Sequence, residues 1–191
     1  MAHGVRGGYG RSGGERSTAR KCQTALSNEG KGRDVADSGD FNELAASHDK
    51  IEKLGVAEMR LMFRLENAGE AFYNALAERL GNAAAADLLR KNGREERGHA
   101  ERLRRAIELK VGGKWTPEPG DLAPFAIALP EQVSAELLAG IVQGELQGDA
   151  GYQKWADAEE HPEIQKLLRQ NGREETVHAN RVKEALALLG S

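Results

Sequence analysis

An eight-residue segment that occurs twice constrains the fold of this 191-residue chain more than any other feature. The segment occupies residues 92–99 and again, 79 positions later, residues 171–178, with six of eight positions identical. Each copy ends in a Glu-x-x-His motif, formed by Glu96 and His99 in the first copy and by Glu175 and His178 in the second. Side chains three positions apart share one face of an α-helix, so each copy presents a carboxylate and an imidazole together. The pattern indicates a duplicated pair of metal ligands.

The duplication extends well beyond the two motifs. At the same offset of 79 and without a gap, the chain also matches Glu66 to Glu145, Gly69 to Gly148 and Tyr73 to Tyr152. Apolar residues spaced three and four apart predict two helices in each half. Because one helical hairpin cannot cover its own apolar stripe, the two hairpins are expected to pair into a four-helix bundle.

The predicted helices and their connections define the topology. We expect helices at about 56–80, 83–109, 131–158 and 162–189. The segment 111–130 holds four prolines and three glycines, which no helix tolerates. It is long enough to travel the length of a bundle. The sequence therefore predicts an all-α four-helix bundle built from a duplicated hairpin, with a long crossover between the second and third helices.

Four of the predicted core positions are carboxylates. In an antiparallel hairpin, residues equidistant from the turn lie side by side, which places Glu66 level with Glu96 and Glu145 level with Glu175. Clustered carboxylates are costly in an apolar interior, and a pair of divalent ions offsets both their desolvation and their repulsion. A carboxylate-rich site without thiolates favours iron, or manganese in its place. The candidate metal ligands are Glu66, Glu96, His99, Glu145, Glu175 and His178.

The chain resembles the rubrerythrin branch of the ferritin-like superfamily. The resemblance is carried by Leu65-Glu66, by the run Gly69-Glu70-Ala71-Phe72-Tyr73 and by the paired Glu-x-x-His motifs, and it covers about residues 55–189. It implies a ferritin-like bundle that holds two iron ions per chain. It further implies that Glu96 and Glu175 bridge the ions, whereas Glu66 and Glu145 are terminal ligands.

Two departures from that family bear on the expected chemistry. Rubrerythrins carry a rubredoxin domain with four cysteines, whereas this chain has one cysteine, Cys22. Reduction is therefore expected to come from a separate electron-donor protein. Rubrerythrins also place an extra Glu one turn beyond the third-helix ligand, where this chain has Gly148. The residue behind the family's peroxide-linked ligand shift is thus missing.

Two acidic residues are candidates to orient the histidines. Counting from the ligand layer places Asp149 level with His99, and Glu70 level with His178. We expect each carboxylate to accept a hydrogen bond from the free ring nitrogen of its histidine, which would fix the tautomer and raise ligand basicity. The alternative is that Glu70 and Asp149 face solvent.

Four further polar residues lie near the ligand positions. Tyr73 and Tyr152 lie two turns from a ligand glutamate on the same stripe, so their hydroxyls either bond to ligand carboxylates or belong to ordinary core aromatics. Asn92 and Asn171 lie one turn before the second glutamate of each half. They are either polar donors near the site or parts of a local helix kink.

Composition excludes several classes of protein. The formal net charge is −3 and no basic, aromatic-rich patch occurs, which argues against nucleic-acid binding. No apolar run approaches the roughly 18 residues of a membrane span, so a cytoplasmic protein is expected. Residues 1–40 are rich in Gly and Arg without helical or strand periodicity, which predicts a disordered tail. The bundle domain is then 41–191.

Three functions are compatible with such a site. The first, which we favour, is the reduction of hydrogen peroxide or dioxygen by a di-iron centre with an external electron donor. The second is ferrous iron oxidation or storage of the ferritin type, and the third is hydroxylation of an organic substrate. A homodimer or a larger homo-oligomer is expected in each case.

Overall fold

The structure, a computed structural model, describes residues 50–190, which belong to one compact unit. These residues form four α-helices: α1 (Val56–Glu78), α2 (Ala83–Val111), α3 (Ala135–Asp157) and α4 (Pro162–Leu189). The prediction of an all-α chain with four helices is confirmed for the described residues. The predicted disordered tail, 1–40, and the first residues assigned to the bundle, 41–49, lie outside them.

Side chains that accept backbone hydrogen bonds set the helix starts. The Asn82 side chain accepts from the Ala85 amide at 3.1 Å and begins α2. The Ser134 hydroxyl accepts from the Leu137 amide at 3.2 Å, which starts α3 at Ala135 rather than at the predicted residue 131. The predicted start was wrong because apolar periodicity does not reveal where a cap ends the preceding loop.

Two apolar clusters fill the core of the bundle. The first core cluster includes Met59, Leu103, Trp155 and Ile164, and the second core cluster includes Leu76, Leu89, Leu138 and Val182. Every helix contributes to both clusters, and on every helix the candidate ligand glutamate lies between the two contributions. The helices therefore place one polar layer between two apolar ones.

The order of the clusters along each helix gives its direction. α1 and α4 run from the first core cluster to the second, whereas α2 and α3 run from the second to the first. α1 packs against α2, α3 packs against α4, and the two hairpins meet where α2 packs against α4. The α2–α4 contact brings the two Glu-x-x-His motifs face to face.

The segment 112–134, which joins α2 to α3, is fixed on α1. The Arg60 guanidinium donates to Asp121 Oδ1 at 2.8 Å, and the Arg64 guanidinium donates to the Ala123 carbonyl at 2.8 Å. Arg64 also lies 3.7 Å above the centre of the Phe125 ring. Among the helices of residues 50–190, none has both the length and the apolar character needed to cross a membrane.

Candidate metal centre

The six side chains predicted as metal ligands lie together in the polar layer. They form two groups of four in which the potential ligand atoms all lie within 4.8 Å of one another. The first group is Glu66, Glu96, His99 and Glu175, and the second is Glu96, Glu145, Glu175 and His178. Because Glu96 and Glu175 belong to both groups, each could bridge two ions bound a short distance apart.

The two shared carboxylates divide their oxygens between the histidines. His99 Nδ1 lies 3.4 Å from Oε2 of Glu96 and 3.1 Å from Oε1 of Glu175. His178 Nδ1 lies 3.3 Å from Oε1 of Glu96 and 3.2 Å from Oε2 of Glu175. Each of these carboxylates therefore turns a different oxygen toward each half of the site, which suits a ligand that bridges two ions through both of its oxygens.

The unshared carboxylates complete the two groups symmetrically. Glu66 Oε2 lies 3.5 Å from His99 Nδ1, and Glu145 Oε2 lies 3.4 Å from His178 Nδ1. The two imidazoles stack with ring centres 5.1 Å apart. Both histidines are completely buried and the four glutamates nearly so. The duplication seen in the sequence therefore produces a nearly symmetric site.

The donor atoms fit a pair of divalent ions. Among the buried side-chain nitrogens and oxygens of the described residues, only Nδ1 of His99 and Nδ1 of His178 lack a hydrogen-bond partner. A buried polar atom without a partner is costly unless something else satisfies it. An imidazole nitrogen that faces three carboxylates without bonding to any of them is the arrangement expected when an ion lies among them.

The outer ring nitrogens bond to residues that the sequence reasoning missed. His99 Nε2 lies 3.2 Å from Glu174 Oε2, and His178 Nε2 lies 3.1 Å from Glu95 Oε2. A carboxylate at Nε2 holds the proton there and leaves the Nδ1 lone pair for a metal. Burial raises the pKa of Glu174, but the hydrogen bonds with His99 and Gln170 and the charge of Arg102 together outweigh burial and lower this pKa to about 2.

The predicted partners of the histidines were wrong. Glu70 accepts from the Arg97 guanidinium instead, at 3.0 Å for one of its two contacts. Asp149 accepts from Thr176 Oγ1 at 2.6 Å and from Gln153 at 2.8 Å. Counting residues along the helices predicts the level in the bundle at which each of these acids lies. It does not predict the direction in which the Nε2 edge of each imidazole ring points. That edge points across the α2–α4 contact rather than toward α1 or α3.

Arginine and asparagine residues connect each pair of partners into a closed network. In one half, Arg102 donates to both Glu174 and Asn171, and Asn171 donates to the His99 carbonyl at 3.3 Å. In the other half, the corresponding residues are Arg181, Glu95, Asn92 and His178. Both asparagines thus act as polar donors at the site, bonding to the histidine backbone. These outer carboxylates and arginines could have been found in the sequence. Both halves contain a Glu-Glu pair with an Arg six residues after its second Glu.

The two tyrosines bond across the bundle to the unshared carboxylates. The Tyr73 hydroxyl donates to Glu145, and the Tyr152 hydroxyl donates to Glu66. Both rings are buried, with 1% of their surface exposed. Each phenol therefore restrains the carboxylate contributed by the other half of the duplication.

The balance between burial and neighbouring charges divides the four carboxylates into two classes by pKa. Burial raises the pKa of Glu66 to about 8, and the charges of Glu175 and Glu96 add to the effect. Burial and the charge of Glu175 likewise raise the pKa of Glu145 well above its usual range. The pKa of Glu175 falls instead, because the charge of His99 and its contact with His178 outweigh burial.

The histidines carry the compensating charge when no metal is bound. Burial lowers the pKa of His178, but contacts with Glu145, Glu175 and Glu96 outweigh it and raise this pKa to about 12. Burial lowers the pKa of His99 too, but the charge of Glu175 and the contacts with Glu174 and Glu66 together outweigh burial and raise this pKa well above its usual range. Protons thus balance the buried carboxylates, and divalent ions would displace them on binding.

No protein-family model matches the chain, and neither the curated proteins nor the solved structures give a match.

Proposed function

We propose that the chain is a di-iron carboxylate protein of the rubrerythrin type, which reduces hydrogen peroxide or dioxygen with electrons from an external donor protein. The observation that carries the proposal is the pair of four-residue groups that share Glu96 and Glu175. Such a pair suits two ions a few ångström apart. Four carboxylates and two imidazoles match the ligand set of ferritin-like di-iron bundles.

The helix directions support a ferritin-like topology. α2 and α3 run in the same direction, so the segment 112–134 has to return from the first core cluster to the second. Its contacts with α1 follow that path, because Asp121 bonds to Arg60 and Phe125, later in the segment, packs under Arg64, one turn further along α1 toward the second core cluster. A single long crossover between two helical hairpins is the connection found in ferritin-like bundles.

The ligand set assigns one ion to each group. Glu66 and His99 would hold one ion, Glu145 and His178 would hold the other, and Glu96 and Glu175 would bridge them. Iron suits these oxygen-rich positions, and manganese is an acceptable substitute. Two ferrous ions would supply one electron each to peroxide or dioxygen.

The protein's own residues bind, orient and shield the centre. The tyrosines hold the unshared carboxylates, and Glu95 and Glu174 fix the histidine tautomers. The core clusters on either side exclude water from the ends of the site. The described residues contain no cysteine that could hold an electron-transferring iron site, and the external donor is part of the proposal. Assembly into a homodimer or a larger homo-oligomer is part of the proposal.

Rapid-mixing spectroscopy of the ferrous-loaded protein tests this function. We expect hydrogen peroxide to oxidise about two ferrous ions per chain in a single phase, faster than dioxygen does, and without iron accumulating beyond the two sites. Glu96→Ala should abolish the phase, whereas Glu101→Ala on the exposed face of α2 should leave it intact. Rapid oxidation by dioxygen with many irons retained per assembly would contradict the proposal and favour a ferritin-type role.

A further inference from the structure

A cavity of about 490 Å³ that opens to solvent lies between α1 and α3. These two helices are not among the pairs that pack closely in the described bundle, so their facing surfaces are left apart. The walls include Met62 and Phe72 from α1, Ile141 from α3 and Leu129 from the connecting segment. The cavity is therefore mainly apolar along its sides.

Glycines on α3 keep this cavity open. Gly140, Gly144 and Gly148 recur every four residues and line it. A Cβ atom added at Gly140 or Gly144 would meet no atom within 4 Å. The backbone therefore leaves room for a side chain to begin at either position, and a side chain there would take up space in the cavity.

The cavity ends at the candidate metal centre. Glu66, Glu96, Glu145 and Glu175 all line it, which makes its floor acidic while its walls are apolar. Hydrogen peroxide is only slightly larger than a water molecule, which takes up roughly 30 Å³ in the liquid. An apolar cavity of about 150 Å³ already admits benzene. The space is thus far larger than hydrogen peroxide requires and suits a molecule with an apolar body.

We propose that the cavity binds organic hydroperoxides, with the apolar body between α1 and α3 and the peroxide end at the carboxylates. The proposal rests on the proposed function and narrows its substrate class. Two ferrous ions held by the six ligands would supply the two electrons that cleave the O–O bond of ROOH, one electron from each ion. Two protons from solvent complete the products, ROH and water. The external donor then returns both electrons.

Binding to the metal-free protein gives a readout that does not depend on turnover. The probe is 2-phenyl-2-propanol, the redox-inert product of cumene hydroperoxide, titrated by NMR. We expect saturable shifts confined to methyl groups that line the cavity, such as those of Ile141 and Met62. Gly144→Leu should weaken this binding about tenfold or more by filling the cavity. Ala150→Leu, on an exposed position of α3 that does not line it, should bind normally.

The matching kinetic experiment uses the ferrous-loaded protein. Gly144→Leu should slow oxidation by cumene hydroperoxide about tenfold while hydrogen peroxide reacts within about twofold of the parent rate. Ala150→Leu should react like the parent with both.

Two results overturn the inference while the proposed function stands. The first is that hydrogen peroxide oxidises the ferrous-loaded parent protein although the metal-free parent does not bind 2-phenyl-2-propanol. This result is expected if another segment or a second copy of the chain fills the cavity. The second is equal slowing of both oxidants by Gly144→Leu. If neither oxidant reacts with the parent, the proposed function fails together with the inference.

Discussion

The chemistry of each histidine in this bundle depends on what its two ring nitrogens face. Nδ1 faces three carboxylates and makes no hydrogen bond, whereas Nε2 bonds to a carboxylate that an arginine holds in place. In the first half these residues are His99, Glu174 and Arg102. Because the arginine keeps the carboxylate charged, the carboxylate keeps the proton on Nε2. The proton that a bound metal displaces is therefore the one on Nδ1, and the lone pair left there faces the ion.

Removing the outer carboxylate should weaken metal binding. We expect Glu174→Ala to lower the affinity for ferrous or manganous ions about 10- to 100-fold, since the loss frees the imidazole of His99 to change tautomer and orientation. Competition with a chromophoric chelator measures the effect. Glu70→Ala is the matched control, because Glu70 bonds to Arg97 and not to a histidine. Equal metal affinities for Glu174→Ala and the parent would show that Glu174 does not orient His99 for metal binding.

The metal-free protein should lose stability as pH rises from 6 to 9. The folded-state pKa of Glu66 is about 8 against 4.5 unperturbed, and that of His178 is about 12 against 6.5. The folded chain therefore holds an extra proton on Glu66 up to about pH 8 and an extra proton on His178 above about pH 6.5. Stability therefore falls by at most about 1.4 kcal/mol per pH unit for each such group.

Denaturant unfolding of metal-free protein at several pH values measures this slope. Glu66→Gln removes one titrating group and should flatten the profile below pH 8. The affinity for metal should show the opposite trend and increase with pH, because bound ions displace the protons. A metal-free protein that becomes more stable between pH 6 and 9 would contradict the assigned proton balance.

At the scale of the helices, two equivalent glycines determine how closely the helix backbone can approach the shared carboxylates of the ligand layer. Gly69 and Gly148 occupy equivalent positions in the two halves, each facing a shared carboxylate. A Cβ at Gly69 would lie 2.9 Å from Glu96 Cγ, whereas one at Gly148 would lie 3.4 Å from Glu175 Cγ. The first distance forces a shift of Glu96, and the second is an ordinary contact.

The same substitution should therefore have different effects in the two halves. Gly148→Ala should bind metal normally and gain up to about 1 kcal/mol of stability, since alanine favours a helix over glycine. Gly69→Ala should displace Glu96 and lower metal affinity, offsetting any gain from helix propensity. Calorimetric titration with manganous ions, together with thermal unfolding, compares the pair. Equal metal affinities in the two variants would show that Glu96 is not confined as described.

Helix periodicity and the fixed rise per residue explain what the sequence could predict about these elements. They placed Glu66 level with Glu96 and Glu145 level with Glu175, which is how the structure arranges them. They did not specify rotation about the helix axes, so the partners of the imidazole edges were misassigned to Glu70 and Asp149. Nor did they specify the spacing between helices, so the cavity between α1 and α3 was not foreseen.

At the scale of the whole molecule, the duplication is the source of both the fold and the site. A single hairpin presents one unshared glutamate and one Glu-x-x-His motif, which is half of a dinuclear ligand set. Each half also supplies a tyrosine that bonds to the unshared glutamate of the other half. Each half therefore needs the other to complete the ligand set, to hold its unshared glutamate in place and to cover its apolar stripe.

Anomalous X-ray diffraction at the iron edge, from crystals grown after anaerobic loading with ferrous iron, tests the dinuclear centre most directly. The account predicts two strong peaks per chain inside the bundle, one bound by Nδ1 of His99 and the other by Nδ1 of His178. Both should also contact the carboxylates of Glu96 and Glu175. A single peak, or iron found only on the protein surface, would contradict the assignment.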